Sequence, residues 1–186
     1  TQMFPPRSAE IGEEILKVQN LSAGRMVKDV SFTVHAGEIV GFSGLVGSGR
    51  TETMRAIFGI DKKDGGKVTY FNREVEFRDP KQAILAGFGL LPEDRKGQGL
   101  ILGQSIRVNT TLSCLSKVKN RLGVINHQYE KEYVAGLLAK IATKYGSMED
   151  NADSLSGGNQ QKVSLAKWLA ADCRCIVLDE PTRGVD

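Results

Sequence analysis

The chain has 186 residues, 40% hydrophobic and 25% charged, with 25 Lys and Arg against 22 Asp and Glu. That balance belongs to a globular domain large enough to bury a core. A net charge of +3 is too small to argue for nucleic acid or an anionic membrane surface, and no apolar run approaches the ~20 residues that span a bilayer. The opening Thr-Gln-Met-Phe-Pro-Pro lacks the charged-then-apolar order of a signal peptide. It does not begin with Met, which suggests a piece of a longer chain. Cys114, Cys173 and Cys175 are an odd set without metal-like spacing; Cys173 and Cys175, flanking an apolar strand, read as buried thiols, and the set fits a reducing cytoplasm.

Residues 1–12 carry two prolines and little periodicity, as a linker or tail does. Ile15 to Val18 and Val27 to Val34 are strand-like, the second alternating Val30, Phe32 and Val34 with Ser31 and Thr33 as a half-buried antiparallel strand would. Ala36-Gly37 turns the chain into Ile39, Val40 and Phe42, an apolar run expected to be a buried strand. Gly44, Gly47 and Gly49 follow, and Thr51 opens a helical stretch stopped by Gly59. A hairpin is expected over 68–77, turning at Asn72-Arg73, then a helix begun by Asp79 and Pro80 and ended by Gly87. Phe88 to Leu91 reads as a short buried strand leading to Pro92-Glu93-Asp94-Arg95. Ser105 to Leu115 and Gln128 to Tyr145 read as helices, so that about 105–155 forms a small helical insertion. A further helix runs from about Asn159 to Ala170, with Val163, Ala166, Leu169 and Ala170 on one face. Cys175 to Leu178 is a continuous apolar strand ending in Asp179-Glu180. His35 and His127 read as ordinary surface or loop residues.

Strand, glycine-rich turn and helix form the setting of a phosphate-binding loop. Glycines let backbone N–H groups curl around an anion, and the helix N-terminus adds partial positive charge. The string Gly44, Leu45, Val46, Gly47, Ser48, Gly49, Arg50, Thr51 follows G-x-x-x-x-G-K-[ST] with Arg50 in the lysine position. Taken alone, it is also compatible with an ordinary glycine turn. Asp179 stands at the C-terminal end of a strand, where α/β proteins bind ligands. Beside a phosphate loop it suits Mg²⁺, with the Thr51 hydroxyl as another ligand, and Glu180 suits a general base toward water. By themselves the two acids are no more than solvated charges. Leu155, Ser156, Gly157, Gly158 and Asn159, followed by Gln160 and Gln161, are the most specific stretch. Two glycines at a helix start expose backbone N–H groups, and Ser156 adds a hydroxyl; an ordinary serine-capped helix is the alternative.

The ordered set of these motifs resembles the nucleotide-binding domain of ATP-binding cassette (ABC) proteins. Residues 44–51 match the Walker A loop, 155–161 the signature, 175–180 Walker B with its glutamate, and Gly184-Val185-Asp186 the D-loop. Gly-Arg-Thr in the loop, Leu-Pro-Glu-Asp-Arg-Lys at 91–96 and Asp-Glu-Pro-Thr-Arg-Gly-Val-Asp at 179–186 narrow the likeness to the second cassette of bacterial monosaccharide importers of the ribose and galactose type. The resemblance implies an α/β P-loop ATPase fold, with a mainly parallel sheet, an N-terminal antiparallel β portion and a helical insertion. It implies ATP and Mg²⁺ as cofactors, ATP hydrolysis by the full assembly, and a place on the cytoplasmic face of the membrane. The implied partners are a second cassette, permease subunits and, indirectly, a sugar-binding protein, with no nucleic acid. In that family each ATP lies between Walker A and B of one cassette and the signature of the other, so residues 155–159 would serve a neighbour's site.

Two departures weaken this cassette's own site. Arg50 is longer, planar and forked where lysine is a compact charge. Glu93 stands where the family usually has a glutamine, a second carboxylate near the γ-phosphate, catalytic or able to bind Mg²⁺, or else to repel the nucleotide. No aromatic lies around Leu21 to Arg25 to stack on adenine. The expectation is binding of ATP-Mg²⁺ with poor hydrolysis by the isolated chain. The rival readings are a cassette ATPase acting on DNA or ribosomes, and a regulatory nucleotide-binding module without turnover.

Overall fold

The computed structural model describes residues 9–182. The linker residues 1–8 and the D-loop match at 184–186 therefore lie outside the described residues. The chain divides into two compact units, one ending at Gln82 and the other beginning at Ala83, where the sequence suggests a single domain from residue 13. Among the described residues, no helix is long and apolar enough to cross a membrane.

The first unit is built on an antiparallel sheet of β1 (Glu14–Ala23), β2 (Val27–His35), β3 (Gly65–Tyr70) and β4 (Arg73–Val75), in the order β2-β1-β3-β4. β1 is central, with Val18 opposite Phe32 on β2 and Val68 on β3. Leu16 and Val18 alternate inward, as a one-faced strand requires. The register then shifts between Val18 and Leu21, where Asn20 has φ 51°. This bulge returns Leu21 to the interior, fully buried, despite its odd spacing from Val18. Helix α1 (Arg50–Ile57) buries Met54, Ala56 and Ile57. The β3–β4 hairpin turns one residue earlier than the spacing suggests. Tyr70 pairs with Arg73, and Phe71 and Asn72 both take positive φ, 46° and 60°, the pattern of a tight two-residue hairpin turn. Helix α2 (Pro80–Leu85) starts as expected, the Asp79 carboxylate accepting from the Gln82 N–H at 2.9 Å.

One expected strand does not form. Residues 38–45 belong to no strand, and Ile39 is 97% exposed. An apolar run becomes a buried strand only where neighbouring strands satisfy its N–H and C=O groups, and no described strand pairs with this one. Phe42 alone finds an aromatic partner, edge-on to Phe32 with ring centroids 4.8 Å apart. Parallel pairing among the described residues is consequently confined to the second unit, and the larger sheet is antiparallel. The α/β class stands, with the balance of the sheet reversed from the expected one.

The second unit holds β5 (Phe88–Leu91) and β6 (Cys175–Leu178), parallel and in register from Phe88↔Cys175 to Leu91↔Leu178. All four residues of β5 are buried. A π-helical turn follows at Arg95–Gly99, then α3 (Ile106–Thr111), α4 (Leu115–Val118), α5 (His127–Lys140), a 3₁₀ turn (Ala152–Ser154) and α6 (Gly157–Ala170). The helical insertion is thus present, although α5 stops at Lys140, five residues short of the Tyr145 expected, and Ala142 takes φ 50°. Ile106, Val134, Leu138, Ala152, Val163 and Ala166 form its core, each completely buried.

Beside that core lies a buried charge. The Glu130 carboxylate, 1% exposed, meets the Arg107 guanidinium and accepts from the Thr111 hydroxyl at 2.7 Å. Arg107 also bonds Glu149 at 3.0 Å, and His127 Nδ1 lies 3.3 Å from Glu130. The Glu149 hydrogen bond leads in raising the Arg107 pKa, and Arg107 in turn lowers that of Glu149. Of the cysteines, Cys114 is buried and the other two half-buried; burial pushes all three thiols up to about 11.

Candidate functional site

In the first unit, residues Gly44 to Ser48 are exposed, Leu45 at 86% and Val46 at 98%. Gly47 and Gly49 take φ 79° and 88°, left-handed values that glycine reaches without steric cost. At Gly49 space is as decisive as angle, because a Cβ there would come within 2.6 Å of the Met26 carbonyl oxygen. Met26, in the turn between β1 and β2, also brings its methyl against Gly47. The sequence carries no signal for this contact, which joins residues far apart in the chain. Gly49 is the N-cap of α1 and provides no side-chain cap. Arg50 and Thr51 occupy that first turn, both half-buried. The loop has the form of an anion cradle: open, glycine-built and set at a helix N-terminus.

In the second unit, the parallel register ends β5 at Leu91 and β6 at Leu178 together. Glu93 and the Asp179-Glu180 pair therefore leave the same C-terminal sheet edge. The Asp179 N–H extends the ladder by one bond, donating to the Leu91 carbonyl at 2.9 Å. Glu180 then turns the chain with φ 44° and is exposed. Glu93 is half-buried; the next residue, Asp94, caps the π-helical turn by accepting from the Gly97 N–H at 3.0 Å. Among the described residues, no three His, Cys, Asp or Glu side chains gather as a metal-holding group. A hard divalent ion at these acids would draw its remaining oxygen ligands from hydroxyl, phosphate and water.

The turn at 155–159 is braced from several sides. Leu155 packs on the helical core. The 3₁₀ turn before it is tied down by Ala152 N–H to the Gln104 carbonyl at 3.0 Å and by a bridge between Ser105 and Asn151. Ser156 is exposed and sits at the N-cap of α6, yet its hydroxyl makes no cap bond to the helix backbone. It accepts instead from Asn159 Nδ2 at 3.0 Å, while Asn159 Oδ1 accepts from the Lys144 N–H at 2.9 Å. Lys162 ties the same helix to the Ala142 carbonyl at 2.7 Å. The ordinary serine-capped helix is thereby excluded. The part played by the 142–144 turn is absent from the motif itself.

The family model for ABC transporters matches residues 27–183. The chain is 51% identical over 185 residues to the ribose import ATP-binding protein RbsA 3 of Rhizobium meliloti, covering 99% of this chain and 37% of that protein. It is 48% identical to RbsA of Chelativorans sp. (97% and 35%) and 44% identical to RbsA of Bacillus subtilis (100% and 38%). The chain thus spans little more than a third of the length of these curated relatives. Among solved structures, a dimeric post-hydrolysis state of the ATP-binding cassette MJ0796 with ADP and Pi aligns with a TM-score of 0.76 at 22% identity, over 92% of this chain and 76% of that one. This likeness establishes the fold.

Proposed function

As this chain belongs to the ABC transporter family, we propose that it is an ATP-binding portion of a monosaccharide importer, peripheral on the cytoplasmic face of the membrane. Its partners would be permease subunits and a second cassette. The sugar assignment draws on the relatives, which are named for ribose import. The single observation that carries the nucleotide reading is the glycine cradle, where a Cβ at Gly49 would strike the Met26 carbonyl. An exposed, glycine-rich backbone at a helix N-terminus suits a polyanion as its ligand.

Residues 44–49 would wrap the phosphates with backbone N–H groups, and Arg50 would supply positive charge. The Thr51 hydroxyl and the carboxylates of Asp179 and Glu93 are oxygen donors, the class that Mg²⁺ prefers. Mg²⁺ bound with ATP would neutralise charge on the phosphates. Glu180 would orient and deprotonate a water. Leu155 to Asn159 would be presented to the nucleotide of the second cassette, where Ser156 and the N–H groups of Gly157 and Gly158 meet phosphate.

Arg50 makes this chain's own site slow. Its planar fork does not place a donor where the lysine ammonium would stand, and loss of one such donor typically costs ~10²–10³ in rate. The test is a titration of the complete protein with Mg-ATP, beside Arg50→Lys. Tight binding with a rate that rises by an order of magnitude or more in Arg50→Lys supports the reading. Rapid turnover at the unaltered Arg50 site, unchanged by lysine, refutes it.

A further inference from the structure

Ser156 is the kind of residue that caps helices, and it stands at an N-cap without capping. Serine at such a position ordinarily accepts from a first-turn N–H of its own helix. Here the oxygen is taken by Asn159 Nδ2, at 3.0 Å. A hydroxyl has one donor and two acceptor lone pairs. Among the described residues Asn159 fills one lone pair, and no hydrogen bond uses the Ser156 proton. The exposed hydroxyl is left as a donor.

The direction of this bond is forced from further away. A side-chain amide can present either end, but the Lys144 N–H only donates, so Asn159 must turn Oδ1 toward it, at 2.9 Å. Nδ2 is then the end that faces Ser156. Lys144 lies just beyond α5, in the turn that also receives Lys162 through the Ala142 carbonyl. A backbone N–H in one helix connection thereby sets the hydrogen-bond polarity of a serine in another.

We infer that Asn159 is a positioning residue that aims the Ser156 O–H outward as a donor to an anionic oxygen, with its own orientation set by the Lys144 backbone. The inference rests on the proposal that residues 155–159 meet a phosphate. It goes further in giving Asn159 a role through Ser156, with no contact to the nucleotide required. It also explains why the first turn of α6 is left without a serine cap: that hydroxyl and those N–H groups point to the same ligand.

The experiment measures Mg-ATP turnover against ATP concentration in the intact transporter complex, for wild type, Ser156→Ala, Asn159→Ala, the double variant and Asn159→Asp. Ser156→Ala is expected to lower kcat about 10²-fold, the loss of a donor to developing phosphate charge. Asn159→Ala is expected to lower it about 5-fold, one hydrogen bond of orientation. The double variant should match Ser156→Ala to within about twofold, because Asn159 acts only through that hydroxyl. Asn159→Asp keeps the acceptor for Lys144 but reverses the second bond. Its carboxylate draws the Ser156 proton inward, so turnover should fall at least as far as in Ser156→Ala, with an unchanged melting temperature. Additive losses in the double variant, or wild-type turnover in Asn159→Asp, overturn the inference and leave the reading of the turn standing. No loss in Ser156→Ala overturns that reading and the inference with it. Should Asn159→Ala fail to fold, Asn159→Asp decides the matter alone.

Discussion

The glycine loop at 44–51 and the turn at 155–159 both lead into a helix whose N-cap residue makes no side-chain cap bond, but they are held by different means. The first is shaped by what is missing. Gly49 lies where a Cβ would meet the Met26 carbonyl at 2.6 Å, and the tip residues Leu45 and Val46 are almost fully exposed. The second is shaped by added bonds: Asn159 to Ser156, Lys144 to Asn159, Ala152 to Gln104. A loop that wraps its ligand gains from an open backbone that closes on phosphate. The turn, if offered to a neighbour as proposed, must keep its geometry before the neighbour arrives, and preorganised donors need no reorganisation when charge develops.

The largest effect should come from breaking the buried ion pair of the second unit, the unit that carries the turn. Arg107→Ala leaves the Glu130 carboxylate, 1% exposed, without its cation. Removing one partner of a buried pair costs about 3–5 kcal/mol, so the urea midpoint of the second unit should fall accordingly. A midpoint within error of wild type would show that the charge is not held there. Gly49→Ala should cost less, about 1–3 kcal/mol for forcing a left-handed angle on alanine, with added strain from the Met26 carbonyl. Its expected signature is lost nucleotide binding, measured by calorimetry, with the second unit's unfolding unchanged.

Thiol labelling can separate the two regions, since all three cysteines lie in the second unit. With their pKa values near 11 through burial, the folded protein should react slowly with iodoacetamide at pH 8. Labelling should track the unfolding of the second unit and stay slow in Gly49→Ala. Fast labelling of the native state would contradict that.

The smallest expected effect is a slope. Lys167 on α6 is buried and donates to the Gly99 carbonyl at 2.7 Å. Its ammonium lies 4.8 Å from the centre of the Trp168 ring, and burial lowers its pKa to about 8. Between pH 8 and the ordinary lysine value of 10.5, the unfolded chain binds this proton more than the folded one does. Stability from this group therefore rises with pH across that window and is lost as pH falls through 8. The raised cysteine pKa values act in the opposite direction, since the folded thiols keep protons that unfolded ones release. The readout is therefore the difference between wild type and Lys167→Met, which should rise from pH 8 to 10.5. A flat difference would mean that the amine is not desolvated.

Much of this was readable without coordinates. β2 follows from the alternation of Val30, Phe32 and Val34, and β5 and β6 from short apolar runs. The Asp79-Pro80 start of α2 follows from capping chemistry, because each depends on neighbours a few residues away. The error at Ile39 has the opposite origin. Its apolar run carries strand propensity, but a strand exists only by pairing, and pairing is a property of chains brought together from a distance. The early stop of α5 at Lys140 and the hairpin turn at Phe71-Asn72 depend likewise on packing and register beyond any local window.

For the candidate sites, the order and spacing of glycines, serine and carboxylates along the chain specified the family and the residue types available for phosphate and metal. These are matters of local covalent sequence. Only the tertiary structure decided that Ser156 leaves its own helix uncapped, that Asn159 is turned by Lys144, and that Gly49 is held against Met26. The Lys144–Asn159 and Met26–Gly49 contacts join segments whose separation along the chain hides them, and hydrogen-bond direction and steric exclusion act through space alone.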